Sequence, residues 1–216
     1  MRETVKPAVG QIEFVVRSMA KTTIDNEKYF GDLDAVVGDG DFGYSLARGF
    51  ESVLADMDGF ERSSGGSFLK KIALTITSKI GGTSGPLWGT ALLRAAVVAG
   101  DKPSLTLSDA VAMLRAAAAG IGQRGESSLG DKTLLDALIP ATDELEKTVG
   151  AEPELSCAQV LDRVVAVAGE RAENTKTMVA KRGRASYTGE RSIGSVDAGA
   201  VAVARIFADL RDAVRA

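Results

Sequence analysis

The chain has 216 residues, of which 45% are hydrophobic and 25% are charged, a size and composition typical of one globular domain. Its net charge of −3 and its pI of about 5.2 argue against a nucleic-acid partner. The chain contains no histidine, which removes the commonest general base and excludes any substrate linked through histidine. A single cysteine, Cys157, excludes an internal disulfide bond.

Neither a membrane span nor a secretion signal is evident in the sequence. No apolar segment approaches the ~18 residues that cross a bilayer, and residues 1–6 lack the apolar stretch of a signal peptide. We therefore expect a cytoplasmic protein without a membrane partner, in which residues 1–216 form one domain.

The first informative segment is the glycine-rich stretch 34–41, which contains Asp34, Asp39 and Asp41. Carboxylates held close together raise each other's pKa unless a cation lies between them. Mg²⁺ prefers oxygen ligands and typically binds one or two carboxylates together with phosphate oxygens. The segment therefore favours a magnesium site, and three carboxylates would suffice for two ions. A helix cap with neighbouring Asx turns is the alternative that these residue types leave open.

Most of the remaining chain reads as amphipathic helices. Alanine is plentiful, and apolar residues recur with the three-and-four spacing of a helix face. Such faces lie within 69–80, 134–145, 160–168 and 203–214, although residues 74–77 alone would also suit a strand. The expected N-caps are Ser84, Ser108, Asp131 and Asp197.

A second glycine-rich motif, residues 81–90, precedes one of these helices. Its glycines allow close approach of a ligand, Thr83 and Ser84 offer hydroxyl groups, and a helix N-terminus is a seat for phosphate. The Gly-Lys-Ser/Thr ending of a Walker A loop is absent. A plain helix–helix turn is the alternative.

Two further motifs follow, at residues 130–138 and 183–200. The first reads as a capped helix with a leucine face. In the second, Arg184 could contact a phosphate with its planar guanidinium group, and Tyr187 could stack on a base. The alternative for this segment is a salt-bridged surface loop.

Taken together, the four motifs resemble the nucleotide-binding L subunit (DhaL type) of dihydroxyacetone kinases, in the family's order and across most of the chain. The resemblance implies an all-α fold: a closed barrel of about eight antiparallel amphipathic helices. It also implies a site for ADP or ATP and two Mg²⁺ on the loops at one end. Asp34, Asp39 and Asp41 match the family's metal ligands and catalytic centre. Its nucleotide contacts match Phe42, Gly43, Tyr44, Ser45, Gly82, Thr83, Ser84, Gly125, Leu134, Arg184, Asp197, Ala198 and Gly199.

The resemblance further implies a kinase subunit that phosphorylates a small keto-sugar held on a separate, histidine-bearing K subunit. The phosphoryl donor would be ATP, or a phosphotransferase-system protein that recharges bound ADP. Phe42 stands where the family usually has histidine, which removes any side-chain phosphate contact there, and Ala198 stands where proline is frequent. A four-carbon ketose substrate, a fatty-acid-kinase-type domain, a non-catalytic nucleotide-binding regulator and a helical scaffold remain alternatives, and a homodimer is left open.

Overall fold

The protein is entirely helical over residues 6–216, the part of the chain that the computed structural model describes. The absence of a signal peptide, expected for residues 1–6, therefore falls almost wholly outside the described residues. The α-helices are α1 (Ala8–Asp25), α2 (Glu27–Ala35), α3 (Phe42–Asp56), α4 (Gly65–Lys79), α5 (Ser84–Ala99), α6 (Leu107–Gly125), α7 (Leu135–Ala151), α8 (Cys157–Asn174) and α9 (Ala198–Arg215). Short 3₁₀ segments cover Met57–Gly59, Thr175–Thr177 and Arg184–Ser192.

Eight of these helices form a closed ring, which confirms the predicted barrel. From α3 to α9 each helix packs against the next in chain order, and α1 closes the ring between α9 and α3. The short α2 packs on α3 and α9. The segment 74–77 lies inside α4, and no strand occurs among residues 6–216.

Small residues let neighbouring helices approach closely around a large apolar core. A Cβ at Gly89 of α5 would lie 1.8 Å from the Thr77 Oγ1 of α4, so no larger residue fits at this crossing. Fully buried aromatic side chains such as Phe30, Phe50 and Phe68 fill the interior, and each burial stabilises the fold by about 1.5–3 kcal/mol. No helix within residues 6–216 is long and apolar enough to span a membrane.

Helix starts were predicted less well than the helices themselves. Asp197 caps α9 as expected, because its Oδ2 accepts a hydrogen bond from Ala200 N at 2.7 Å. The other three cap predictions were wrong. Helix α5 already includes Ser84, α6 is capped by Thr106 rather than Ser108, and α7 follows Leu134 rather than Asp131. Helix α6 extends to Gly125.

The alternating direction of the helices decides which connections meet. In an antiparallel ring, every second connection lies at the same end. One end, here called the cleft end, carries the connections 36–41, 80–83, 126–134 and 175–197. The opposite end, here called the far end, carries the connections 57–64, 100–106 and 152–156. The four motifs of the sequence therefore converge at the cleft end.

Candidate functional site

A cleft of about 250 Å³ opens at the cleft end, and all four of its connections contribute to the lining. Thirteen of the sixteen residues expected at the site line this cleft. They are Asp34, Asp39, Asp41, Phe42, Gly82, Thr83, Ser84, Gly125, Leu134, Arg184, Asp197, Ala198 and Gly199.

The three aspartates converge at this cleft. One carboxylate oxygen from each of Asp34, Asp39 and Asp41 lies within 4.8 Å of the other two. The Asp34 carboxylate also shapes the turn, because its Oδ2 accepts hydrogen bonds from Gly40 N at 2.9 Å and Phe42 N at 3.4 Å. Asp41 directly precedes α3 but makes no side-chain cap. A capping role therefore does not account for the Asp41 carboxylate.

Two glycines are needed for this arrangement. A Cβ at Gly38 would lie 2.3 Å from the Asp34 Oδ1, so any side chain there would displace the carboxylate. Gly40 has a φ of +76°, a left-handed conformation that side chains disfavour. The glycine spacing thus brings the aspartates together.

One basic side chain reaches the cluster from the fourth connection: Arg184 forms an ion pair with Asp39. Both partners are partly exposed to water, so this pair contributes little stability. Asp39 and Asp41 are exposed and Asp34 is half-buried, which leaves carboxylate oxygens accessible from the cleft. This donor set, made entirely of oxygens with a compensating cation already in contact, fits a hard dication such as Mg²⁺.

Two helix N-termini begin at the cleft without side-chain caps. Thr83 precedes α5 and Asp41 precedes α3, and neither side chain accepts a hydrogen bond from its helix. Gly82, next to Thr83, has a φ of +62°. Uncapped N–H groups together with the helix dipole form an anion-binding site.

The cleft also has an apolar portion, made by side chains from five helices or the segments next to them. A Cβ at Gly125 would lie 3.2 Å from the Leu87 Cδ2, so the backbone itself forms part of the wall here. The apolar lining consists of Leu33, Val37, Leu87, Ile121, Leu134 and Val196. An apolar wall beside polar loops suits a ligand with a flat ring at one end and charge at the other.

Two ionisable groups of the lining have shifted pKa values. Burial raises the pKa of Asp197 to about 7, and the nearby charges of Asp136 and Asp34 add to this effect. The Ala200 N–H and the Lys132 charge oppose it. Burial also lowers the pKa of Lys132, while the charge of Asp197 raises it.

Three expected site residues do not line the cleft. Gly43 faces α2, where an added Cβ would lie 2.0 Å from the Glu27 carbonyl oxygen. Tyr44 is exposed beneath Arg48, whose guanidinium carbon lies 5.3 Å from the ring centroid, and Ser45 lies in the first turn of α3. Their role at the site stays a prediction.

Two aromatic residues near the cleft differ in their position. Tyr187, considered as a stacking platform, is 88% exposed and does not line the cleft. The Phe42 ring packs on Phe30 with 6.3 Å between centroids, and the Phe42 N–H points to Asp34. The residue that stands in place of histidine is thus partly a core residue.

Other lining residues were not expected from the sequence. Lys132 and Thr133 belong to a motif that we interpreted as a capped helix, and Arg182 is two residues from Arg184. The charged sequence Gly-Asp-Lys-Thr directly before a helix was the available signal. Leu87 and Ile121 are ordinary helix residues that carry no such signal.

Comparison with known proteins identifies the family of this chain. The DAK2 domain model matches residues 36–212. The chain is 39% identical over 176 residues to the PEP-dependent dihydroxyacetone kinase, ADP-binding subunit DhaL, of Escherichia coli, covering 82% of this chain and 83% of that protein. It is also 34% identical over 206 residues to the L-erythrulose 1-kinase of Mycolicibacterium smegmatis, covering 94% of this chain and 35% of that protein.

A solved structure shares the fold. The dihydroxyacetone kinase from C. freundii, in complex with AMP-PNP and Mg²⁺, superimposes with a TM-score of 0.71 at 24% identity. The match covers 98% of this chain, which spans about a third (35%) of the C. freundii chain. The DAK2 match includes Asp39, Asp41 and the other three connections of the cleft in full, and the chain therefore belongs to the DAK2-domain family.

Proposed function

We propose that this chain is the nucleotide-binding subunit of a dihydroxyacetone-type kinase, with residues 1–216 as its single nucleotide-binding domain in the cytoplasm. Its cleft binds ADP or ATP with Mg²⁺, held by Asp34, Asp39 and Asp41. The proposal rests mainly on one observation: three carboxylates meet within 4.8 Å in a cleft where two uncapped helices begin.

The charges of the cleft lining favour a nucleotide that is bound together with Mg²⁺. The carboxylates of Asp34, Asp39 and Asp41 meet in the lining, and of the basic lining residues Arg184 contacts them, whereas the Lys132 ammonium is bonded to backbone carbonyl groups. A phosphate tail alone would meet repulsion from the aspartates. Asp34, Asp39 and Asp41 would hold a dication, which would neutralise the charge of the phosphate tail. Three carboxylates are enough for two ions.

Phosphoryl transfer requires positioning and charge neutralisation rather than covalent help from the protein. Bound Mg²⁺ supplies neutralisation of the phosphate charge. The first N–H groups of α5 and the hydroxyls of Thr83 and Ser84 orient the phosphates. Arg184 exchanges Asp39 for a phosphate oxygen, and the apolar wall at Leu87 excludes water from the base.

The sugar is held elsewhere. This chain has no histidine, so a sugar bound covalently through histidine requires a separate K subunit, which docks over the cleft end. The relative from E. coli is described as PEP-dependent, which supports a phosphotransferase protein that recharges bound ADP here. The erythrulose kinase among the relatives supports a four-carbon ketose as the second candidate substrate.

The test is calorimetric titration of the protein with ADP in the presence and absence of Mg²⁺, on wild type and Asp39→Ala. We expect Mg²⁺-dependent binding by wild type and none by the variant. Asp39 is a better target than Asp34, because the Asp34 carboxylate also holds the turn through a hydrogen bond from Gly40 N. The Asp39 carboxylate pairs with Arg184, and both partners of that ion pair are partly exposed. Circular dichroism should show an unchanged helical fold.

Asp32→Ala is the matched control. It removes a negative charge two residues from Asp34, but Asp32 is exposed and pairs with Lys28 at 2.6 Å, away from the cluster. Equal ADP affinity in wild type and Asp39→Ala would refute the metal site. The matching K subunit is then supplied with dihydroxyacetone or erythrulose. Nucleotide binding without turnover in this assay would favour the alternative of a non-catalytic nucleotide-binding regulator.

A further inference from the structure

Lys132 differs from the other basic residues of the cleft in being buried. Its exposure is 3%, whereas Arg182 and Arg184 are exposed. It also adopts a left-handed conformation with a φ of +60°, which costs a non-glycine residue roughly 1–2 kcal/mol. A long charged side chain in a strained, buried position needs a compensating interaction.

The compensation is a complete set of hydrogen bonds from the ammonium group. The Lys132 Nζ donates to the carbonyl oxygens of Met178 at 3.2 Å and Ser195 at 2.8 Å, and to that of Ser192. An ammonium has three N–H donors, and all three are therefore used within the protein. No donor is left over for a phosphate, so Lys132 does not act as a nucleotide ligand.

The three acceptors belong to one segment, residues 178–195, which we call the cover segment. It contains no α-helix, and glycines with positive φ lie near both ends, at Gly183 and Gly194. It also carries Arg182 and Arg184, which line the cleft. The preceding Asp131 adds an ion pair to Arg182 at 3.3 Å. The loop before α7 thus contacts the cover segment through the hydrogen bonds of Lys132 and the ion pair of Asp131.

We infer that Lys132 is a positioning residue: its buried ammonium fixes the cover segment over the cleft and so sets nucleotide affinity without touching the nucleotide. This inference rests on the proposed function. If the ammonium is removed, three carbonyl groups lose their donor, and the cover segment opens more often. A cleft that is competent for a smaller fraction of time binds with proportionally weaker apparent affinity.

Trypsin reports on the cover segment directly, since the segment offers cleavage sites at Lys181, Arg182, Arg184 and Arg191. In Lys132→Met, we expect the initial cleavage at these sites to accelerate about tenfold or more, because native-state proteolysis follows the opening equilibrium. The Kd for Mg²⁺-ADP should also rise, by the factor by which the closed fraction of the cover segment falls. Lys147→Met is the control, because Lys147 is exposed on α7 and pairs with the nearby Glu144.

Two further variants separate the effect of the lost ammonium from the effect of backbone strain at residue 132. Lys132→Gly relieves the left-handed strain but still lacks the ammonium, so it should resemble Lys132→Met. Lys132→Gln keeps two N–H donors, so its cleavage rate and its Kd should lie between those of wild type and Lys132→Met. If Lys132→Met does not fold, Lys132→Gln is compared with wild type alone, and both values should exceed those of wild type. A glycine variant that behaves like wild type would place the effect in the backbone and overturn the inference.

The remaining outcomes are equally decisive. Unchanged cleavage and unchanged Kd in folded Lys132→Met would overturn the positioning role, and so would faster cleavage with unchanged Kd. If wild type itself fails to bind Mg²⁺-ADP, the proposed function fails. The cleavage pattern then still decides whether Lys132 holds the cover segment.

Discussion

The two ends of the barrel differ in whether side chains cap the helix N-termini. At the far end, Ser64, Thr106 and Ser156 each accept a hydrogen bond from the first turn of α4, α6 and α8. At the cleft end, Asp41 and Thr83 precede α3 and α5, and neither makes a side-chain cap. The exceptions there are α7, whose Leu135 N–H donates to Thr133 Oγ1, and α9, which is capped by Asp197.

This difference indicates what each end is for. A side-chain cap contributes about 0.5–2 kcal/mol, so the two uncapped helices α3 and α5 together forgo about 1–4 kcal/mol of stability. Unsatisfied N–H groups are costly in an empty protein but are ready donors for an anion. The far end is built for stability, and the cleft end keeps its donors for the nucleotide.

The largest predicted effect concerns the capping aspartates at the two ends. At the far end, Lys102 and the Thr106 N–H and hydroxyl hold the pKa of Asp109 well below its usual range. At the cleft end, burial raises the pKa of Asp197 to about 7. Asp109 therefore loses its stabilising effect as the pH falls below 3.8, whereas Asp197 destabilises the fold as the pH rises.

For Asp197, the pH range in which protonation changes the stability lies between its ordinary pKa of 3.8 and its raised pKa of about 7. Within it the folded state holds a proton that the unfolded chain has released, so the free energy of unfolding falls with rising pH, by up to about 4 kcal/mol. Asp197→Asn keeps a capping side chain and removes the titration. In EDTA, its stability relative to wild type should rise from pH 4 to pH 8, as measured by urea unfolding; a constant difference would contradict the pKa shift.

The next prediction applies one substitution at both ends. Gly38→Ala at the cleft end would displace the Asp34 carboxylate, whose Oδ1 would lie 2.3 Å from the new Cβ. Moving a ligand through its support typically weakens metal affinity about 10- to 100-fold. Gly59→Ala at the far end meets no atom within 4 Å and should leave the affinity unchanged. Calorimetric titration with Mg²⁺-ADP measures both, and equal affinities would show that Asp34 is not a ligand.

The sequence predicted the amphipathic helices because their information is periodic, whereas the closed barrel was implied by the family resemblance. Helix faces such as that containing Val160 and Val164 are visible in the spacing of apolar residues, and both are fully buried. The aspartate cluster was also predictable, since one short glycine-rich segment contains all three carboxylates. The joining of the four motifs into one cleft followed from the family resemblance, and the alternation of helix direction explains it.

What the sequence did not reveal depends on long-range packing. Lys132 contacts carbonyl groups 46 to 63 residues away, and no local pattern encodes that. The missing caps were overlooked for a related reason. Ser84 and Asp131 are good capping residues by type, but Asp131 is engaged with Lys181 and Arg182 instead. Competition from tertiary partners overrides local propensity at the cleft end.

The smallest predicted effect contrasts two threonines. Thr106 caps α6 at the far end, so Thr106→Ala should lower the stability by about 1 kcal/mol and the Tm by about 2–4 °C, with unchanged Mg²⁺-ADP affinity. Thr83 precedes α5 without capping it, so Thr83→Ala should change the stability by less than about 0.5 kcal/mol while weakening nucleotide binding. Thermal unfolding and calorimetry on the same two variants separate the ends. If both variants lose stability alike and bind alike, the division of the barrel into a capped end and a ligand-binding end is wrong.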